Sequence, residues 1–317
     1  MPSPEPNPTP TKTIVKGVFT RDGIPAAANP VRVATVKVRW ADLEPAPGAR
    51  TLEPILDALA AAEARGLDGV RLRPMFGADA PAWAKQLGAG PIPYAEPQGR
   101  TQTSIPDIWA PAYQAAVESE LDFLCDGVDH DPRLRLIFAT GAMTYYGEPF
   151  IRGTSDARNR AAFLAAGYTK AKDAAAQKWQ LDAMGRWRTT PIGLSYNAWQ
   201  FVDADGSAGS SISYMAEVMD HQLALFGERT VLQNNSIRAS YISSPPPIYA
   251  EFVERLSAPG QTQFQVAGAT RVGDAGAVMD WAIDHLEATG VELVNGYGSF
   301  HTDAELRDYD ARLKANR

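Results

Sequence analysis

Cysteine is nearly absent from this chain of 317 residues. The single Cys125 excludes an internal disulfide, and with four scattered histidines it leaves no recognisable zinc site. A surplus of positive charge is also missing. Thirty Lys and Arg against 37 Asp and Glu give a net charge of −7, so neither nucleic acid nor an anionic membrane is an expected partner. No run approaches the ~20 apolar residues of a membrane span, and the N-terminus lacks the basic-then-apolar pattern of a signal peptide. Neither a Gly-x-Ser-x-Gly elbow nor a Walker loop occurs. No metal and no cofactor is expected.

What the chain does have is the balance of a folded globular protein, 45% hydrophobic and 21% charged. Residues 1–13 stand apart, with proline at every second position from Pro2 to Pro10. Proline removes backbone donors and favours extended conformations, so this segment reads as a disordered arm or linker through which other modules could be fused. Residues 14–317 are expected to form one folded domain.

In that domain short β-rich runs alternate with helical patterns. The runs are Lys16–Phe19, Val33–Trp40, Gly69–Arg73, Leu134–Thr140, Ile192–Asn197, Thr230–Gln233, Thr262–Val266 and Val291–Asn295. Between them lie helix-like stretches at Leu52–Arg65, Ala112–Cys125, Arg160–Trp187, Ile212–Phe226, Ile248–Leu256 and Ala275–Thr289, with a last one at Asp303–Lys314. Leu52, Ile55, Leu56 and Leu59 fall on one helical face, and Gly66 then stops the helix before the next strand. Eight strands joined by helical crossovers predict parallel pairing. The count, the length and the lack of a glycine-rich phosphate turn favour a single (β/α)8 barrel over an open doubly wound sheet.

Barrel strands present reactive groups at their C-terminal ends. Those ends carry Arg39 and Trp40 (second strand), Arg73 and Trp83 (third), Tyr146 and Glu148 (fourth), Asn197 and Trp199 (fifth), Asn235 (sixth), Gln265 (seventh), and Glu292 with Tyr297 (eighth). Amides and arginines bond hydroxyls, and aromatic faces stack on sugar rings. The expected partner is therefore a carbohydrate, held by these residues.

The run Val38-Arg39-Trp40-Ala41-Asp42-Leu43-Glu44-Pro45-Ala46-Pro47-Gly48 resembles the R-W-x-x-L-E-P-x-x-G segment of clan A glycoside hydrolases. A helix of the LDALAAAEARG type and a strand of the GVRLR type follow, and Ala80-Pro81-Ala82-Trp83 is similar to that clan's A-P-x-W loop. The resemblance implies a TIM barrel glycosidase whose general acid lies just after the fourth strand, where Glu148 stands. The chain departs from the clan at two points. Gly147 precedes Glu148 where the clan has Asn, and the seventh strand reads Thr262-Gln263-Phe264-Gln265-Val266 where the clan keeps its nucleophilic glutamate. Three readings stay open: another second carboxylate, Glu292 or else Glu44; a glutamine at 263 or 265 replacing a native glutamate; or a noncatalytic barrel.

Each residue also has a plainer reading. Glu148 could pair with Arg152, Glu292 with a lumen arginine, and Glu44 could cap its E-P-x-x-G turn. The tryptophans could be core, and Asp129-His130-Asp131 a solvated loop. The leading expectation is a glycoside hydrolase acting on a polysaccharide or oligosaccharide, with Glu148 and Glu292 as its catalytic pair. The alternative is a carbohydrate-binding or receptor-binding barrel of a phage tail or cell surface. Either is expected outside the cell, at a surface or on a virion rather than in the cytoplasm.

Overall fold

The eight β-rich runs become eight strands: β1 (Gly17–Thr20), β2 (Val33–Arg39), β3 (Gly69–Met75), β4 (Leu134–Phe138), β5 (Ile192–Ser195), β6 (Thr230–Ile237), β7 (Gln261–Val266) and β8 (Gly290–Glu292). In this computed structural model, which describes residues 11–21, 23–25, 30–96, 102–148 and 150–316, they pair in parallel and in chain order. The sheet closes where β8 meets β1 at Gly17↔Gly290, Val18↔Val291 and Phe19↔Glu292. The expected single (β/α)8 barrel is the fold. Parallel strands need crossovers long enough to reverse direction, and from β2 onward helices supply them on the outer face, where the main apolar core lies.

Helix α1 (Glu53–Ala64) buries Ile55, Leu59 and Ala62 against the barrel, whereas Leu56 is exposed at 43%. The stripe is narrower than the apolar spacing implies. The stretch Arg160–Trp187, read as one helix, is two. α2 (Ala157–Ala165) ends at a turn in which Gly167 takes φ +79°, and α3 (Lys170–Asp182) restarts with the Thr169 side chain accepting from the Lys172 amide. The left-handed residue costs least as glycine, so the break is local chemistry that a hydrophobic period does not register. The long segment after β3 holds an antiparallel hairpin, Ile92–Ala95 with Gln102–Ile105, and a second hairpin, Trp199–Val202 with Ala208–Ser211, follows β5. Both lie beyond strand C-terminal ends. Among the described residues no helix is long and apolar enough to cross a membrane.

The opposite end of the barrel is closed by polar staples. Asp129 is buried: its Oδ2 accepts from the Arg188 and Thr189 amides (2.8 and 3.1 Å), and its Oδ1 accepts from the Thr190 amide and Thr189 Oγ1 (2.8 and 3.0 Å). The reading of Asp129 as part of a solvated loop is therefore corrected. Four donors satisfy a carboxylate that joins the entries to β4 and β5. Of the proline-rich arm, residues 1–10 lie outside the described residues. At its far end the Lys12 ammonium donates to the Asp131 and Leu134 carbonyls and to Thr190 Oγ1 (2.7, 3.0 and 2.8 Å).

Replacing Asp129 by alanine strands three backbone amides in a dry site. Unfolding in urea is expected to show a loss of about 3 kcal/mol, from the ~1–3 kcal/mol cost of each unsatisfied buried group and partial relaxation. A loss below about 0.5 kcal/mol would refute the staple.

Candidate active site

Side-chain alternation along a strand sends every second residue into the lumen. On β3 this places Arg71 and Arg73 inside, both essentially unexposed, and on β8 it places Glu292. Glu292 Oε1 accepts from Arg71 (2.8 Å), Thr35 Oγ1 (3.0 Å) and Arg73 (3.2 Å), and Oε2 accepts from Gln265. Gln233 and Gln263 turn their amide oxygens to Arg71, and the two guanidiniums lie on the rings of Phe19 and Phe138. Burial alone would raise the Glu292 pKa. The charges of Arg73 and Arg71 and the bonds from Gln265 and Thr35 outweigh it and bring the group down to about 2. Burial acts the opposite way on Arg71, lowering it to about 10 against the attraction of Glu292. The lumen is thus a charged plug of two cations and one anion.

Above the plug opens a cleft of about 650 Å³ at the C-terminal end of the strands. Its walls include Lys37, Arg73, Asp79, Tyr145, Tyr146, Glu148, Arg152, Asn235, Gln265, Arg271 and Asn295. It runs on into a second hollow with Asn197, Gln200, Arg238, Tyr241 and Tyr249, sharing Glu148, Arg152, Asn235, Ser236 and Arg271. Glu148 is only 6% exposed, and its Oε2 has no hydrogen-bond partner among the described residues. Arg152 does not pair with it. That guanidinium lies over the Tyr146 and Phe150 rings instead (5.8 and 5.5 Å). A Cβ at Gly147 would sit 2.5 Å from Arg73 Cδ, so the arginine that holds Glu292 occupies the space an asparagine would need. Asp79 is the other carboxylate on the cleft wall, and burial raises its pKa against the pull of Arg39, Lys85 and Lys37.

Of the residues selected from sequence, Arg73, Tyr146, Glu148, Asn197, Asn235 and Gln265 line the combined cleft. Others do not. Arg39 is solvent-exposed and folds back on Asp42 (2.6 Å). Trp40 is fully buried, edge-on to Phe76, Trp83 and Tyr113, and donates to Glu44 Oε2 (3.2 Å). Trp83 donates to the Glu44 carbonyl (3.0 Å). Glu44 itself accepts from the Gly48 amide (2.8 Å), so it holds its turn, and it is not among the cleft-lining residues. Trp199 donates to Asp173 Oδ2 (2.6 Å) while Trp109 donates to Oδ1 (2.9 Å); burial pushes Asp173 up to about 6 despite both bonds. These indoles are scaffold because each N–H is spent on a buried acceptor. Tyr297 lies in the turn after β8, outside the cleft lining. Glu292 points into the lumen as expected, yet it has no exposed surface and lies under Gln265 and Arg73 rather than on the cleft wall.

Sequence reasoning missed Arg238 and Arg271 as cleft residues. Both stand one to five residues past the ends of β6 and β7, just beyond where the strand-end inventory stopped. Among the described residues no group of three His, Cys, Asp or Glu side chains is placed to hold a metal ion.

No protein-family model and no curated protein matches this sequence. Solved structures do resemble the fold. An endoglycoceramidase II from Rhodococcus sp. aligns at 15% identity over 90% of this chain and 75% of that one, with TM-score 0.52. The catalytic domain of a β-amylase from Paenibacillus polymyxa aligns at 10% identity over 96% of this chain and all of that one, with TM-score 0.58. At such identities the likeness is one of architecture alone: the chain shares the closed parallel barrel of these structures.

Replacing Glu292 by glutamine leaves two buried guanidiniums without their anion and is expected to cost about 3–5 kcal/mol of stability. The carboxylate is more acidic folded than unfolded, so its contribution is present above pH ~4.5 and is lost as pH falls toward 2. Melting curves between pH 2 and 7 should show that acid limb in the native protein and a shallower one in Glu292→Gln. Parallel limbs would contradict the assignment.

Proposed function

We propose that this chain is a glycoside hydrolase acting on an oligosaccharide or polysaccharide, with Glu148 as general acid. The setting of Glu148 carries the reading. It stands on the wall of the cleft with one buried oxygen unpartnered, among amides and tyrosines suited to sugar hydroxyls and rings. In the proposed step Glu148 gives its proton to the glycosidic oxygen as the bond to the anomeric carbon breaks. A second carboxylate attacks that carbon or deprotonates the incoming water.

For that second role burial favours Asp79 over Glu292, the partner expected from sequence. Both Glu292 oxygens are engaged and no atom is exposed, whereas Asp79 lines the cleft and its raised pKa suits a general base. A water activated by Asp79 inverts the anomeric configuration; attack by Glu292 would retain it. One observation favours the other class of function, a noncatalytic carbohydrate-binding barrel. β7 offers Gln263 and Gln265, and the nearby lumen glutamate is locked by arginines.

Glu148→Gln keeps the shape and removes the proton. Hydrolysis of a cleaved oligosaccharide is expected to fall by about 10²–10⁴-fold with an unchanged melting temperature. Proton NMR of the first-formed product is expected to show inversion. An undiminished rate excludes Glu148, and retention returns the second role to Glu292. Saturable oligosaccharide binding by the native protein with no turnover would establish the binding barrel instead.

A further inference from the structure

In a chain of net charge −7, the combined cleft is lined by six cationic side chains, Arg21, Lys37, Arg73, Arg152, Arg238 and Arg271, against two carboxylates, Asp79 and Glu148. Three of the cations line the outer hollow, and two of them, Arg152 and Arg271, also line the inner one. Arg152, Arg238 and Arg271 all line that outer part, and among the described residues none has a carboxylate within ion-pair distance. The Nε atoms of Arg152 and Arg238 are buried with no hydrogen-bond partner among the described residues. The Arg238 guanidinium lies over the Tyr241 ring, 4.2 Å from its centre, as Arg152 lies over Tyr146, so aromatic faces hold both guanidiniums in place.

The backbone is shaped for this gathering. The β6–β7 register shifts between Asn235 and Ile237, and Ser236 takes φ +75°, a left-handed conformation unusual for a residue other than glycine. Simple alternation would face Asn235 and Ile237 one way and Ser236 and Arg238 the other. The bulge instead leaves Ile237 buried while Asn235, Ser236 and Arg238 all reach the cleft. Strain held at a cleft rim marks a functional constraint. Like charges packed together without an anion are unfavourable, and each would gain from a ligand that supplies one.

We infer that this rim is an anion subsite for an acidic saccharide, binding a uronate carboxylate or a sugar sulfate. Arg238 and Arg271 would grip the anion while Asn197, Gln200 and Asn235 in the same hollow bond the hydroxyls. Planar guanidinium forks suit the bidentate geometry of carboxylate and sulfate oxygens. The inference deepens the proposed function by naming the substrate class, and it rests on the cleft being a carbohydrate site.

The experiment is calorimetric binding at 50 mM and 300 mM salt, which needs no turnover. The probes are a galacturonate tetrasaccharide, a sulfated heparin-derived tetrasaccharide, cellotetraose and inorganic sulfate. An acidic tetrasaccharide is expected to bind at least 10-fold tighter than cellotetraose. That preference is expected to weaken at 300 mM salt and to be lost in both Arg271→Ala and Arg238→Ala/Arg271→Ala. Arg158→Ala, an exposed charge paired with Asp156, should change nothing. The carboxylated and sulfated probes separate the two anion sources. Equal affinity for neutral and acidic sugars, or acidic binding untouched by the arginine variants, overturns the subsite while leaving a carbohydrate cleft. Sulfate binding without saccharide binding overturns the saccharide assignment. Arginine-dependent acidic binding without hydrolysis upholds the subsite and counts against catalysis alone.

Discussion

The ion cluster of Arg71, Arg73 and Glu292 is the constraint around which the barrel is arranged. It joins β3 to β8, and its hydrogen bonds extend to Thr35 on β2, Gln233 on β6, and Gln263 and Gln265 on β7. Barrel lumens of this class are usually filled by branched apolar side chains. Here three charges are taken out of water, a step that costs several kcal/mol per ion unless every polar atom is matched. The glutamines and the threonine supply most of the matching, and Phe19 and Phe138 present their faces to the cations.

That plug shapes the cleft above it. It withdraws Glu292 from solvent, and it positions Arg73 so that the neighbouring loop must carry Gly147. The glutamine on β7 is then a ligand of the plug as well as part of the cleft wall. The polar groups open to a ligand lie beyond the strand ends, where Glu148 and Asp79 line the cleft and arginines outnumber them.

The tryptophans show the same division between scaffold and site. Trp40 and Trp83 organise the turn after β2 around Glu44, and Trp109 and Trp199 converge on buried Asp173 in α3. An indole N–H satisfied by a buried acceptor is fixed in place, and its ring packs on neighbouring rings instead of facing the cleft. Tyr145, Tyr146, Tyr241 and Tyr249, with polar tips that tolerate a wet boundary, take the cleft positions.

Eight strands, their order and the end of the barrel that bears the cleft were legible in the sequence, because strand alternation, helical crossovers and turn residues are local signals whose joint solution is a closed parallel barrel. So was Glu148, since a carboxylate just past the fourth strand must lie at that end. Strand period allowed Glu292 and Arg73 to face the lumen, and the structure buries both there. What period cannot say is how deep a lumen side chain sits or what covers it, and that depth separates Glu292 from the cleft wall. Nor does it show a side chain folding back, as Arg39 does on Asp42, or a bulge that turns Arg238 inward after Ser236. These outcomes depend on neighbours brought from distant segments. Residue types and periodicity determined the barrel and the end that bears its cleft, and only tertiary packing decided which of the polar groups there remain open to a ligand.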